Sequence, residues 1–130
     1  MRHVPTFEDE VNPTPDELRA WAYSDAPEPM QDWDTLIAEP GNLPLLLQLV
    51  ADPTCPSRSY ILASLYCFVG HYDRSAPELR DAIALAEQTD VPWLTTWARR
   101  ARQVIDHPES FNRSDWCGWP GYATRPAGDP

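Results

Sequence analysis

The chain has 130 residues, with 20 Asp and Glu against 10 cationic side chains and a formal net charge of −10. That length suits one packed core, and a hydrophobic fraction of 42% is enough to build it, which excludes wholesale disorder. The charge argues against direct binding of nucleic acid or an anionic membrane. No apolar run reaches the roughly 18 residues of a membrane span, the longest being interrupted by Gln48 and Ser64.

The 15 Pro residues argue against a sheet, since each one inside a strand deletes a ladder hydrogen bond. Every cation is an Arg, which reads as a coding bias because an exposed surface has no physical reason to exclude Lys. The stretch from Met1 to Glu10 is acidic and has no apolar centre, unlike a secretory signal. Cys55, Cys67 and Cys117 are odd in number and irregularly spaced, which is no disulfide framework and makes a reducing cytoplasm the expected compartment.

Thr14-Pro15-Asp16-Glu17 combines an N-cap, Pro at the first helical position and a capping-box Glu. It predicts a short helix with Leu18, Trp21 and Ala22 on one face. After Pro27 and Pro29, a second helix is expected from about Met30 to Glu39, grouping Trp33, Leu36 and Ile37 before Pro40-Gly41. Asn42 reads as the cap of a third helix, Leu43 to Ala51. Ser57 reads as the cap of a fourth, running to about Val69 and stopped by Gly70. That fourth helix is apolar nearly all round, which predicts a central position.

Ser75-Ala76-Pro77-Glu78 reads as a second capping box, opening a fifth helix to about Gln88 with Leu79, Ala82, Ile83 and Ala86 on one stripe. The sixth starts at Asp90-Val91-Pro92 and closes at His107-Pro108. Its Leu94, Trp97, Ala98, Ala101, Val104 and Ile105 keep helical spacing, and Trp93 and Trp97 form a core pair. An irregular segment over 108–130 carries Trp116, Trp119 and Tyr122, expected to fold back over an exposed apolar edge.

The predicted fold is all-α: one domain over 1–130, with an acidic arm over 1–13 and six helices in three antiparallel pairs. The short turns pair the first helix with the second, the third with the fourth, and the fifth with the sixth. The caps at Asn42 and Ser75 are 33 residues apart, and in architecture the chain resembles a short α-solenoid of the HEAT or tetratricopeptide type. The tetratricopeptide consensus itself is absent, and a compact six-helix bundle fits the same pattern.

The acidity is local. Residues 1–41 hold Glu8, Asp9, Glu10, Asp16, Glu17, Asp25, Glu28, Asp32, Asp34 and Glu39 against Arg2 and Arg19, a net −8. The remaining residues carry ten acids against eight Arg, a net −2. Part of this excess suits helix first turns, as at Asp16, Glu17 and Asp32. The rest, interleaved with aromatics, reads as a surface for a basic protein, in which charge steers the encounter. The candidate partner-binding residues are Trp21, Tyr23, Asp25, Glu28, Asp32, Trp33 and Asp34. Arg99, Arg100 and Arg102 form a counter-cluster, explained by the helix dipole and an Arg102–Asp106 pair.

Signals for chemistry are weak. His3, His71 and His107 stand apart, with no ligand spacing for a metal, and His71-Tyr72-Asp73 reads as a turn. Cys117 with His107 and Asp106 or Asp115 is the best nucleophile set, yet no spacing brings thiol and imidazole together. With five Gly there is no phosphate-cradling loop or dinucleotide fingerprint. The sequence therefore predicts a non-enzymatic protein without cofactor or metal. In overall character it is similar to bacterial immunity proteins, which implies a compact acidic inhibitor occluding a basic, nuclease-type toxin domain. The alternative is a helical-repeat adaptor whose groove, lined by the third and fifth helices, takes a peptide or a subunit of a complex.

Overall fold

The computed structural model describes residues 6–71, 74–112 and Trp116. Among them are six α-helices and no strand: α1 (Pro15–Ala22), α2 (Trp33–Leu36), α3 (Leu43–Ala51), α4 (Arg58–His71), α5 (Pro77–Glu87) and α6 (Pro92–Asp106). Single 3-10 turns at Pro40–Asn42 and Pro108–Ser110 enter α3 and follow α6.

Helices α3 and α4 pack as one antiparallel hairpin and α5 and α6 as another. The hairpins stack so that α3 meets α5 and α4 meets α6; at the other end α1 lies on α3 and α2 on α4. Two layers result, α1–α3–α5 and α2–α4–α6. The expected pairing of the first two helices is replaced by this stacking, and they meet chiefly through the Trp21 and Trp33 rings, 4.8 Å apart.

Local sequence accounts for most of these elements. The Thr14 capping box forms in full: Thr14 Oγ1 accepts from Glu17 N at 3.2 Å, and Glu17 Oε1 accepts from Thr14 N at 2.9 Å. Helix α4 buries Ile61 through Tyr66, Phe68 and Val69, so the all-round apolar stretch does occupy the centre. It runs through Gly70 to His71, slightly past the expected stop. The stripes of α5 (Leu79, Ala82, Ile83, Ala86) and α6 (Trp93, Leu94, Trp97, Ala98, Ala101, Val104) are buried as their spacing requires.

Four local expectations are corrected. The second helix is only one turn, Trp33–Leu36, instead of Met30–Glu39. Asp32 before it sits at φ 60°, a left-handed conformation that Asp tolerates better than most residues, and this keeps the segment from Met30 out of the helix. Asn42 does not cap α3 with its side chain. The Pro40–Asn42 turn runs directly into α3, Pro44 has no N–H to cap, and Asn42 Nδ2 donates to Ile37 O at 2.9 Å instead. Helix α5 begins at Pro77 with Ala76 as its cap, one residue later than a Ser75 box requires. Arg102 pairs across to α5 and not along its own helix to Asp106. Its Nε and Nη2 each donate to Glu87 at 2.7 Å, a bidentate match that a neighbouring helix can present.

Two links tie the layers in ways the spacing did not foretell. Arg58, only 6% exposed, donates from Nε to Val50 O at 3.0 Å, satisfying a carbonyl in the last turn of α3. Its guanidinium lies 4.6 Å from the Trp93 ring centre on α6. The buried Cys55 thiol donates to Ala22 O at 3.5 Å, fastening the α3–α4 turn to the end of α1.

The segment after α6 returns to the core. Trp116 is buried against α4 and donates from Nε1 to Tyr66 O at 2.7 Å. Its ring lies 4.8 Å from Tyr66 and 6.3 Å from Phe111, and the Arg100 guanidinium sits 5.0 Å from it. Trp116 thus caps an apolar edge as expected; Trp119, Tyr122 and Cys117 lie outside the described residues.

Candidate functional site

The seven candidate residues of the acidic end divide by what their side chains touch. Trp21 and Trp33, expected as apolar anchors at the surface, are 3% and 0% exposed. Each indole N–H found a backbone carbonyl from a neighbouring loop: Trp21 Nε1 donates to Pro27 O at 3.0 Å, and Trp33 Nε1 to Glu10 O at 2.7 Å. A buried indole needs such a partner, and these two draw the N-terminal loops over the rings. Phe7 stacks edge-on to Trp33 at 5.5 Å, and Tyr60 of α4 lies 5.2 Å from Trp21. The two tryptophans are therefore the platform beneath the acidic surface.

Above that platform the chain gathers carboxylates. Glu28 Oε2 accepts from the Tyr60 hydroxyl at 2.6 Å, and Asp34 Oδ2 accepts from the Cys67 thiol at 3.8 Å. Tyr60 and Cys67 are two turns apart on α4, so one helix face holds both acids. Half-burial pushes the Asp34 carboxyl above the usual range, and the nearby charges of Glu28 and Asp32 push the same way. Burial raises the Tyr60 phenol, reinforced by its bond to Glu28. Glu28, Asp32 and Asp34 thus form a like-charged group. The donors identified on Glu28 and Asp34, Tyr60 and Cys67, are neutral and leave the negative charge in place.

Asp25 is exposed on the loop after α1. Tyr23 belongs to a separate contact. Its hydroxyl donates to the Asp52 carboxylate in the α3–α4 turn, and that bond pushes the phenol up to about 12. Asp52 is held low by the same hydroxyl and by Thr54. Next to the acid group a pocket of about 450 Å³ opens among Thr6, Phe7, Glu10, Trp21, Ala26, Pro27, Glu28 and Pro29. Aromatic walls with Glu10 and Glu28 at hand suit an aliphatic stem that ends in a cation. The contacts of Tyr60, Cys67 and Glu10 are marked by no local pattern, because their partners are at least 23 positions away in the chain.

The other candidate groups are scattered. Among the described residues no three His, Cys, Asp or Glu side chains converge as a metal site, and no helix is long and apolar enough to cross a membrane. The Cys67 thiol is engaged by Asp34, and burial pushes the Cys55 thiol up. His107 faces Glu109 at 3.6 Å in the open, while Asp115 and Cys117, its proposed companions, fall outside the described residues. So does the His71 side chain. Within the Arg cluster, Arg100 is placed over the Tyr66 and Trp116 rings, and Arg102 is engaged by Glu87.

Elsewhere, the Pro40–Asn42 turn, α3 and α5 enclose a smaller groove of about 220 Å³. Compared with known families, curated proteins and solved structures, the chain matches none. What the structure defines is an all-α assembly of stacked helices, a fold consistent with a scaffold or binding module.

Proposed function

We propose that the chain is a non-catalytic module that binds a basic protein through the α1–α2 end, acting as an immunity protein does when it occludes a toxin domain. The observation that supports this reading is the placement of Glu28, Asp32 and Asp34 side by side over a rigid aromatic platform, with Tyr60 and Cys67 holding two of them. Fixed carboxylates meet a cationic surface without first having to be ordered, so less of the attraction is lost to side-chain entropy. The adjoining pocket admits a Lys or Arg side chain of the partner, with Trp21 and Phe7 along its stem and Glu10 and Glu28 near its charge.

The product of the adjacent reading frame is the first partner to test, followed by association kinetics on whatever protein is retained. With steering, the association rate falls steeply with added salt, and a Glu28→Gln, Asp32→Asn, Asp34→Asn variant associates about tenfold more slowly. An association rate flat in salt, or unchanged in that variant, overturns the reading.

A further inference from the structure

We propose that the groove between the Pro40–Asn42 turn, α3 and α5 docks an extended segment of a partner protein bearing a leucine-sized side chain flanked by Arg or Lys. The groove shares no lining residue with the pocket at the acidic α1–α2 end. Pro40, Pro44, Leu47 and Ala82 provide apolar walls. Leu85, at 49% exposure, is one of the few large hydrophobic side chains among the described residues left open to water. Gly41 keeps one side clear, since a Cβ built there meets nothing within 4 Å.

Size and charge select the occupant. Cofactor and drug-sized sites run to about 300–1,000 Å³, whereas this groove holds about 220 Å³, room for one or two side chains. Glu78 and Asp81 join Ala82 and Leu85 on a single stripe of α5, so carboxylates border the apolar floor. A segment placing cations on either side of its apolar residue matches both features. A second copy of this chain does not: a twofold contact through the groove would set Glu78 and Asp81 against their own copies.

The test is a titration of the isotope-labelled full chain with the peptide Arg-Leu-Arg-Leu-Arg at about 0.15 M salt, followed by amide shifts. Saturable shifts are expected at Gly41, Leu47, Ala82 and Leu85. The Arg-Ala-Arg-Ala-Arg control and the Leu85→Ser variant should each bind about tenfold more weakly, as loss of one buried aliphatic contact implies. The E78Q/D81N variant should bind several-fold more weakly. These three positions are exposed, and an unchanged circular dichroism spectrum confirms that the variants remain folded. Equal binding of the alanine peptide, or shifts confined to Glu28, Asp32 and Asp34, overturns the proposal. A Glu28→Gln, Asp32→Asn variant should keep the preference for the leucine over the alanine peptide and the shifts at Gly41, Leu47, Ala82 and Leu85, so this groove and the α1–α2 end fail or survive separately.

Discussion

Gly70 and Trp116 offer a direct measure of how firmly the C-terminal segment is seated. A Cβ built on Gly70 lies 3.3 Å from Trp116 Cδ1 and 3.4 Å from its Nε1. The indole cannot retreat freely, because Nε1 is bonded to Tyr66 O at 2.7 Å and Tyr66 backs the ring. Gly→Ala within a helix ordinarily stabilises by about 0.5–1 kcal/mol through the unfolded chain. Crowding a packed ring costs about 1–3 kcal/mol, so Gly70→Ala should destabilise by roughly 1 kcal/mol net. Trp116→Ala by itself should cost about 3–5 kcal/mol. Once the indole is gone the crowding disappears, and adding Gly70→Ala to Trp116→Ala should restore about 0.5–1 kcal/mol. The opposite signs amount to a coupling of about 1.5–2 kcal/mol, well above the scatter of about 0.5 kcal/mol for independent sites. Urea unfolding of the four proteins, followed at the helical circular dichroism band, gives each free energy by linear extrapolation. If Gly70→Ala stabilises equally in both backgrounds, Trp116 does not occupy the face of α4 described above.

Three further outcomes follow from single groups. Ser64 Oγ is fully buried in α4 with no hydrogen-bond partner among the described residues, so Ser64→Ala should raise stability by about 1 kcal/mol, read as a higher urea midpoint. A lower midpoint would mean that the hydroxyl has a partner. Asp34 is raised in the native state, so between its unfolded value of about 3.9 and its native value the folded chain holds more proton. Its contribution to stability then falls as pH rises through that window, and Asp34→Asn should flatten this part of the profile. Glu17 has the opposite sign. The Thr14 and Glu8 N–H groups hold it low, so its contribution is present above about pH 4.3, is lost as pH falls through its native value, and should be absent in Glu17→Gln. Urea midpoints measured from about pH 3 to pH 7 test both, and matching slopes in the variants and the parent chain would refute the assignments.

The acidic end shows why composition and site are different kinds of information. The charge excess of residues 1–41 is a property of the sequence, as is its mixture with Trp21, Tyr23 and Trp33. Which of those side chains face outward depends on hydrogen-bond partners remote in the chain. An indole N–H seeks the nearest carbonyl that can be buried with it, and Pro27 and Glu10 supplied those carbonyls. Trp21 and Trp33 consequently turned inward, leaving Tyr23 and the carboxylates at the surface. Tyr60 and Cys67, which hold Glu28 and Asp34, lie within an apolar helix where nothing local distinguishes them.

The helices themselves were largely determined by the sequence alone. Capping, Pro placement and apolar spacing act within a few residues, which is why α1, α3, α5 and α6 stand close to where their patterns put them and α4 is central. The exception, α2, shows the limit of that reach. Its apolar spacing suited a longer helix, but Asp32 turned left-handed and Trp33 was drawn beneath the loop carrying Glu10. Tertiary structure alone decided how the helices stack, pairing α3 with α5 and α4 with α6 and replacing the first hairpin. It also decided the partners of Arg58, Arg102 and Trp116. Those choices rest on volume, burial and donor–acceptor geometry between residues distant in the chain, and no local pattern contains them.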